Sequence, residues 1–250
     1  MNAAQHYQAP AQLLKDRIIL ITGAGAGIGR SAALSFAHHG ATVILLGKTI
    51  AKLEAVYDEI EQAGYPQPAI YPLDLKGATM GDYQDMHDSL AQNFGRLDGL
   101  LHNASVLGDR KPIAQSNVDI WQEVMQVNVN AEFMLTKALL PLLEASDSAS
   151  LIFTSSGVGQ QGRAYWGPYA VSKFATMGLM QVLADELANT SNIRVNAINP
   201  GATNTDMRRS AYPAEQPTNN PEPEAIMPSY LYLMGADSAE LNGQIINAQG

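Results

Sequence analysis

Tyr169 and Lys173 stand four residues apart in the stretch WGPYAVSKFATMGLMQVLADEL, residues 166–187. The stretch reads as one helix, apolar on nearly every face, so the two side chains share a face one turn apart. A free phenol has a pKa near ~10, too high for a base at neutral pH. An ammonium one turn away favours phenolate and moves the group toward a useful range. Taken alone the pair also fits a plainer reading, a lysine stem packed along an aromatic ring with its head reaching water. Other polar residues stand near it. Ser156 closes the fifth apolar run, thirteen residues before Tyr169, and Asn128 lies on the long helix preceding that run.

These residues need a frame that brings them together. Short apolar runs at 17–23, 41–47, 69–75, 97–105, 150–156 and 193–201 read as strands, with a last one at 243–249. Each is nearly continuous, as in strands buried on both faces of a parallel sheet. Between them, 27–39, 49–63, 80–94, 117–145 and 168–189 read as helices. The alternation predicts an α/β fold: one domain with a doubly wound parallel sheet of about seven strands and helices on both faces. The carboxyl ends of such strands border the ligand crevice, so Ser156 and the start of the Tyr169 helix converge there. Residues 1–14 read as a loose N-terminal arm. The segment 208–228, with five prolines and three glutamates, reads as a surface loop or a lid over the crevice.

A glycine loop, ITGAGAGIGR, joins the first strand to the first helix. Gly23, Gly27 and Gly29 let backbone approach a ligand, and the helix start aims unpaired N–H groups at a pyrophosphate. The second strand ends in Gly47 and Lys48, where an acidic residue would bind the ribose hydroxyls of NAD. Glycine leaves room for a 2′-phosphate and lysine can pair with it, so NADP is expected ahead of NAD. Lys48 also fits a solvated strand end.

Bulk composition narrows the field. The chain of 250 residues is 46% hydrophobic and carries a formal net charge of −9, which argues against nucleic-acid and anionic-membrane partners. It has no cysteine, and its five histidines show no metal-ligand spacing, so no metal site is expected. No apolar run reaches the ~18 residues of a membrane span, and the N-terminus lacks signal-peptide features, so a cytoplasmic protein is expected.

TGAGAGIG (22–29), HNAS (102–105), the serine pair 155–156, YAVSK (169–173) and NPG (199–201) together resemble the short-chain dehydrogenase/reductase family. The resemblance runs from about residue 15 to the end, with the motifs in the right order and spacing. HYQAP, VMQVNVNA and GQQGRAYWGPYA resemble a bacterial oxidoreductase subgroup within it. The family implies a Rossmann fold and hydride transfer between nicotinamide C4 and a carbonyl or hydroxyl carbon. Tyr169 is then the general acid or base, and Lys173 lowers its pKa and bonds the nicotinamide ribose. Ser156 polarises the carbonyl, and Asn128 holds a water linking Lys173 to solvent. The glycine loop, with Thr22 and Ile28, meets the phosphates. Asp74 and Leu75 meet the adenine, and Asn103 and Ala104 line the adenosine side. Pro200, Gly201 and Thr205 border the nicotinamide.

Departures from the family pattern carry their own expectations. Ser105 replaces a usual glycine and is strained if that position needs positive φ. Ala26 replaces a frequent basic residue, which leaves the NADP expectation resting on Lys48. The end NAQG replaces the usual Asp-Gly-Gly, near a subunit contact in relatives. Helices 130–143 and 169–187 look too apolar for burial on one side, and relatives pair them, so a homodimer or homotetramer is expected. Arg163, Tyr165 and Trp166 are expected at the pocket, with Arg163 either an anion contact or an ordinary surface residue. The expected activity is an NADP-dependent carbonyl reductase or alcohol dehydrogenase acting on a small molecule. The alternative is a nucleotide-binding scaffold that has lost turnover.

Overall fold

A computed structural model describes residues 3–250. The apolar runs form seven strands: β1 (Ile18–Thr22), β2 (Thr42–Gly47), β3 (Ala69–Pro72), β4 (Gly99–His102), β5 (Ala149–Thr154), β6 (Ile193–Asn199) and β7 (Ile245–Asn247). All pair in parallel in the order β3-β2-β1-β4-β5-β6-β7. Successive side chains point to opposite faces, so each strand feeds two cores. Leu20, Ile44, Leu100 and Leu151 pack on one side, and Ile19, Ile21, Val43 and Leu45 on the other. That is why these runs are continuously apolar.

The helices are α1 (Gly27–His38), α2 (Ile50–Gln62), α3 (Met80–Phe94), α4 (Val118–Met125), α5 (Ala131–Glu144), α6 (Gly167–Leu187), α7 (Asp206–Ala211) and α8 (Met227–Met234). The α1, α2 and α8 residues join the Ile19 side, whereas α3, α5 and α6 join the Leu20 side. The single helix expected over 117–145 is α4 and α5 joined by a π-helical turn, Gln126–Asn130. Such turns insert one extra residue into the hydrogen-bond ladder and recur at functional sites. Asn128 sits in the middle of this one.

Packing excludes both a loose N-terminal arm and a free surface loop at 208–228. Residues 1–14 are no loose arm where the structure describes them; Met1 and Asn2 lie outside the described residues. Ala4 and Leu14 are fully buried, Ser229 Oγ donates to the Ala4 carbonyl (3.1 Å), and Tyr7 Oη donates to Asp237 (2.7 Å). The segment 208–228 is likewise no free loop. It carries most of α7 and the first two residues of α8, and Ser31 Oγ of α1 donates to Glu224 (2.6 Å). Its prolines start short helical turns at Pro217 and Pro223, where a missing N–H costs nothing. No described helix is long and apolar enough to cross a membrane.

Candidate active site

The β1–α1 turn opens the site. Gly23 (φ +69) and Gly27 (φ +52) adopt left-handed backbone, and a Cβ on Gly23 would lie 3.0 Å from the Ala104 Cα. Ala26 gives α1 no side-chain cap, so the helix-start N–H groups are left for a ligand facing the cavity. Gly23, Gly27 and Ile28 line that cavity. Gly29 does other work: a Cβ there would sit 2.3 Å from the Gly23 carbonyl oxygen, so it serves close packing. Thr22 is also a brace, its Oγ1 accepting from the Asn103 and Ala104 amides (both 2.9 Å) and so tying the ends of β1 and β4 together.

Two cavities of about 320 and 280 Å³ meet at Gly23, Ala26, Ala104 and Ser105. The smaller runs along the β2 end, with Lys48, Asp74 and Leu75 on its wall. Lys52, in the first turn of α2, lines it too. Asn103, Pro200, Gly201 and Thr205 border the larger cavity. Gln249 fixes this wall, its Nε2 donating to the Pro200 (2.7 Å) and Ala202 (2.9 Å) carbonyls. The NAQG ending thus belongs to the site.

Tyr169 and Lys173 point from α6 into the larger cavity beside Ser156, which follows β5. The turn after Ser156 lies close on α6 because Gly159 has no side chain; a Cβ there would approach the Lys173 carbonyl oxygen to 2.9 Å. Lys173 is 1% exposed; its Nζ donates to the Thr154 carbonyl (2.9 Å) and lies 5.8 Å from the Tyr169 ring centroid. Burial pushes the Tyr169 phenol up to about 12. The Ser156 hydroxyl opposes that rise, the Glu132 charge adds to it, and Ser105 opposes it. The sequence expectation of a lowered tyrosine pKa is therefore reversed, because desolvation outweighs every neighbour. Lys173 is itself lowered by burial, against the attraction of Glu132.

Glu132 escaped the sequence reading. On an apolar helix a lone glutamate reads as solvent-facing, yet it is 3% exposed with Oε1 4.0 Å from Lys173 Nζ. Thr176 Oγ1 donates to its Oε2 (2.8 Å), and burial raises its pKa to about 7. Its Oε1 has no hydrogen-bond partner. On the other side of Lys173, His102 is buried with Nε2 2.8 Å from Thr136 Oγ1, its ring stacked on Phe153. Burial, then the Lys173 charge, lower its pKa to about 3.

Asn128 has no free side-chain arm. Its Oδ1 accepts from the Val106 amide (2.9 Å), and its Nδ2 donates to the Val106 carbonyl and Ser172 Oγ (both 3.0 Å). It clamps the β4–α4 connection to α6. Ser105 carries no positive φ, so its replacement of glycine is unstrained. Of the three residues expected at the pocket, Trp166 lines the cavity, whereas Tyr165 (57% exposed) and Arg163 do not. Among the described residues no cluster of His, Asp and Glu has the makings of a metal site.

Known proteins resemble this chain in sequence and in fold. The short chain dehydrogenase family model matches residues 17–216. The oxidoreductase YciK of Escherichia coli (strain K12) is 55% identical over 244 residues, 98% of this chain and 96% of that protein. A short chain dehydrogenase structure from Pseudomonas syringae superposes with a TM-score of 0.96 at 58% identity, covering 97% of this chain and 98% of that one. One from Shigella flexneri 2a, complexed with NADP, gives 0.94 at 54% identity, covering 96% and 100%. Matched by the family model over residues 17–216 and by YciK over nearly its whole length, the chain belongs to the short chain dehydrogenase family of oxidoreductases.

Proposed function

We propose that the chain is an NADP(H)-dependent carbonyl reductase, with the reverse alcohol oxidation at the same site. One observation carries this reading: Ser156, Tyr169 and Lys173 converge on a single cavity wall that continues into the glycine-loop cleft. The cleft suits a dinucleotide, since the helix start is uncapped and the turn is free of side chains where phosphates would lie. NADPH, when bound, supplies the hydride.

The chain's own residues do the rest. Ser156 orients and polarises the carbonyl oxygen. Tyr169, whose raised pKa keeps it protonated at neutral pH, donates its proton to that oxygen. Lys173 places positive charge beside the phenolate left behind, and Glu132 gives that ammonium a counter-charge. Leu107, Trp166, Met207 and Tyr212 wall the substrate end and limit water. The α5 and α6 side chains Phe133, Val171, Phe174 and Val182 are 42–54% exposed, which supports pairing of subunits through these helices; light scattering tests it.

Lys48 is the reader of the 2′-phosphate in this account, in line with the NADP bound to the Shigella relative. Lys48→Ala is expected to weaken NADPH binding roughly tenfold and NADH binding by less than about twofold, the worth of one charge-assisted contact. Fluorescence titration of both cofactors measures this. Equal losses for the two would remove Lys48 from that role. The reductase reading itself is tested by NADPH oxidation against a panel of aldehydes and ketones.

A further inference from the structure

A cation that the reaction does not use stands against Trp166 and Tyr212, two residues that line the larger cavity. Trp166 forms the corner between Tyr169 and Tyr212, with ring centroids 5.9 and 5.7 Å away. Over this corner lies the Arg110 guanidinium, its Cζ 4.5 Å from the Trp166 centroid and 5.0 Å from that of Tyr212. Two rings hold one guanidinium, which sets its position although the residue is exposed.

The other charges nearby are already matched. Arg208 also lies on Tyr212 (3.8 Å), but its Nε and Nη2 both donate to Glu215 at 2.6 Å. Asp206, on the cavity wall, accepts from Arg209. Asp109 turns its Oδ2 to Lys111, 3.6 Å away, and to the Asn117 amide, while its Oδ1 is buried without a hydrogen-bond partner. Among the described residues no carboxylate lies within ion-pair distance of Arg110, and none of its N–H groups makes a hydrogen bond in the structure. A guanidinium held against aromatic rings keeps its edge donors in a planar fork, the geometry that takes a carboxylate with two hydrogen bonds.

We infer that Arg110 forms a carboxylate subsite, and that the substrate is an oxo acid. Its carbonyl sits at Ser156 and Tyr169, its apolar body lies along Trp166, and its carboxylate meets Arg110. The inference rests on the reductase reading for the carbonyl end alone. It also places the anion contact on Arg110, where the sequence had suggested Arg163. In a chain with net charge −9, such a substrate needs a local cation to be held, and this wall has one unmatched.

The test compares 4-formylbenzoate with its neutral methyl ester, using the NADPH-loaded protein at low ionic strength. The expected kcat/KM favours the acid roughly tenfold or more, the range of one charge-assisted pair. In Arg110→Gln the preference is expected to fall to within about twofold, and in Arg110→Lys to survive in part, since lysine keeps the charge and loses the fork. Equal use of acid and ester by the unmodified protein, or an acid preference that persists in Arg110→Gln, overturns the subsite. If neither aldehyde is reduced, the reductase reading has failed for these compounds and the subsite is read by binding instead. Calorimetry with NADP-loaded protein then compares 4-(hydroxymethyl)benzoate with its methyl ester. Tighter binding of the acid, lost in Arg110→Gln, supports the subsite; equal binding overturns it.

Discussion

Tyr169→Phe is expected to lower kcat for carbonyl reduction roughly a thousandfold while cofactor binding stays within about threefold of the unmodified protein. The substitution removes one hydroxyl from a ring already buried against Trp166, so shape and packing persist. What goes is the proton for the carbonyl oxygen. Hydrogen bonding by Ser156 and the Lys173 charge remain, and they account for the residual rate. The kcat loss should be independent of pH across neutrality, because the phenol of the unmodified protein is raised to about 12 and stays protonated there. Steady-state rates with NADPH, beside a fluorescence titration of the cofactor, measure both quantities. A variant that keeps a tenth of its rate would show that the proton comes from elsewhere.

The second large effect concerns the charges around Lys173. His102 has a folded pKa of about 3 against an ordinary 6.5. Its stabilisation is therefore present above pH 6.5 and is lost as pH falls toward 3. Glu132 is raised to about 7 from 4.5. Its contribution is full below pH 4.5 and is lost as pH rises through 7. Between pH 6.5 and 5 the two slopes oppose each other, each near one proton or about 1.4 kcal/mol per pH unit. Urea unfolding of the unmodified protein should change little across this window.

Each variant exposes one slope. His102→Gln should gain about 2 kcal/mol of stability on acidification from pH 6.5 to 5, and Glu132→Gln should lose about 2 kcal/mol. Lys173 sharpens the second case, because without Glu132 its buried ammonium is disfavoured in the folded state with the same sign as His102. The other group facing Glu132, the Tyr169 phenol, does not titrate in this window. Equal slopes in the two variants would contradict the assignment.

Much of this architecture is legible without coordinates. Strands buried on both faces betray themselves as unbroken apolar runs, and the glycine turn and YAVSK mark two sides of one cavity. The missed parts share a physical reason: their partners are far away in sequence. Glu132 meets Lys173 across two helices, and Arg110 meets the rings of Trp166, just before α6, and Tyr212, just after α7. No local pattern announces either contact. Helix α8, MPSYLYLM, is eight residues long, and its apolar character resembles that of a buried strand. The arm at residues 3–14 is rich in alanine and glutamine and shows no strand or helix periodicity, yet it is anchored by buried positions such as Ala4 and Leu14. The raised Tyr169 pKa was hidden for a related reason, since periodicity shows a neighbouring ammonium and does not show the depth of burial that pushes the phenol up.

The most direct test of the central claim is to trace the hydride. NADPH carrying deuterium at both positions of nicotinamide C4 would be supplied with a reducible aldehyde from the panel, and the alcohol product analysed by mass spectrometry and NMR. The account predicts one deuterium on the carbinol carbon for each NADPH consumed, with turnover collapsing in Tyr169→Phe. Cofactor bound tightly without any labelled alcohol would contradict it, leaving a nucleotide-binding protein that performs no reduction.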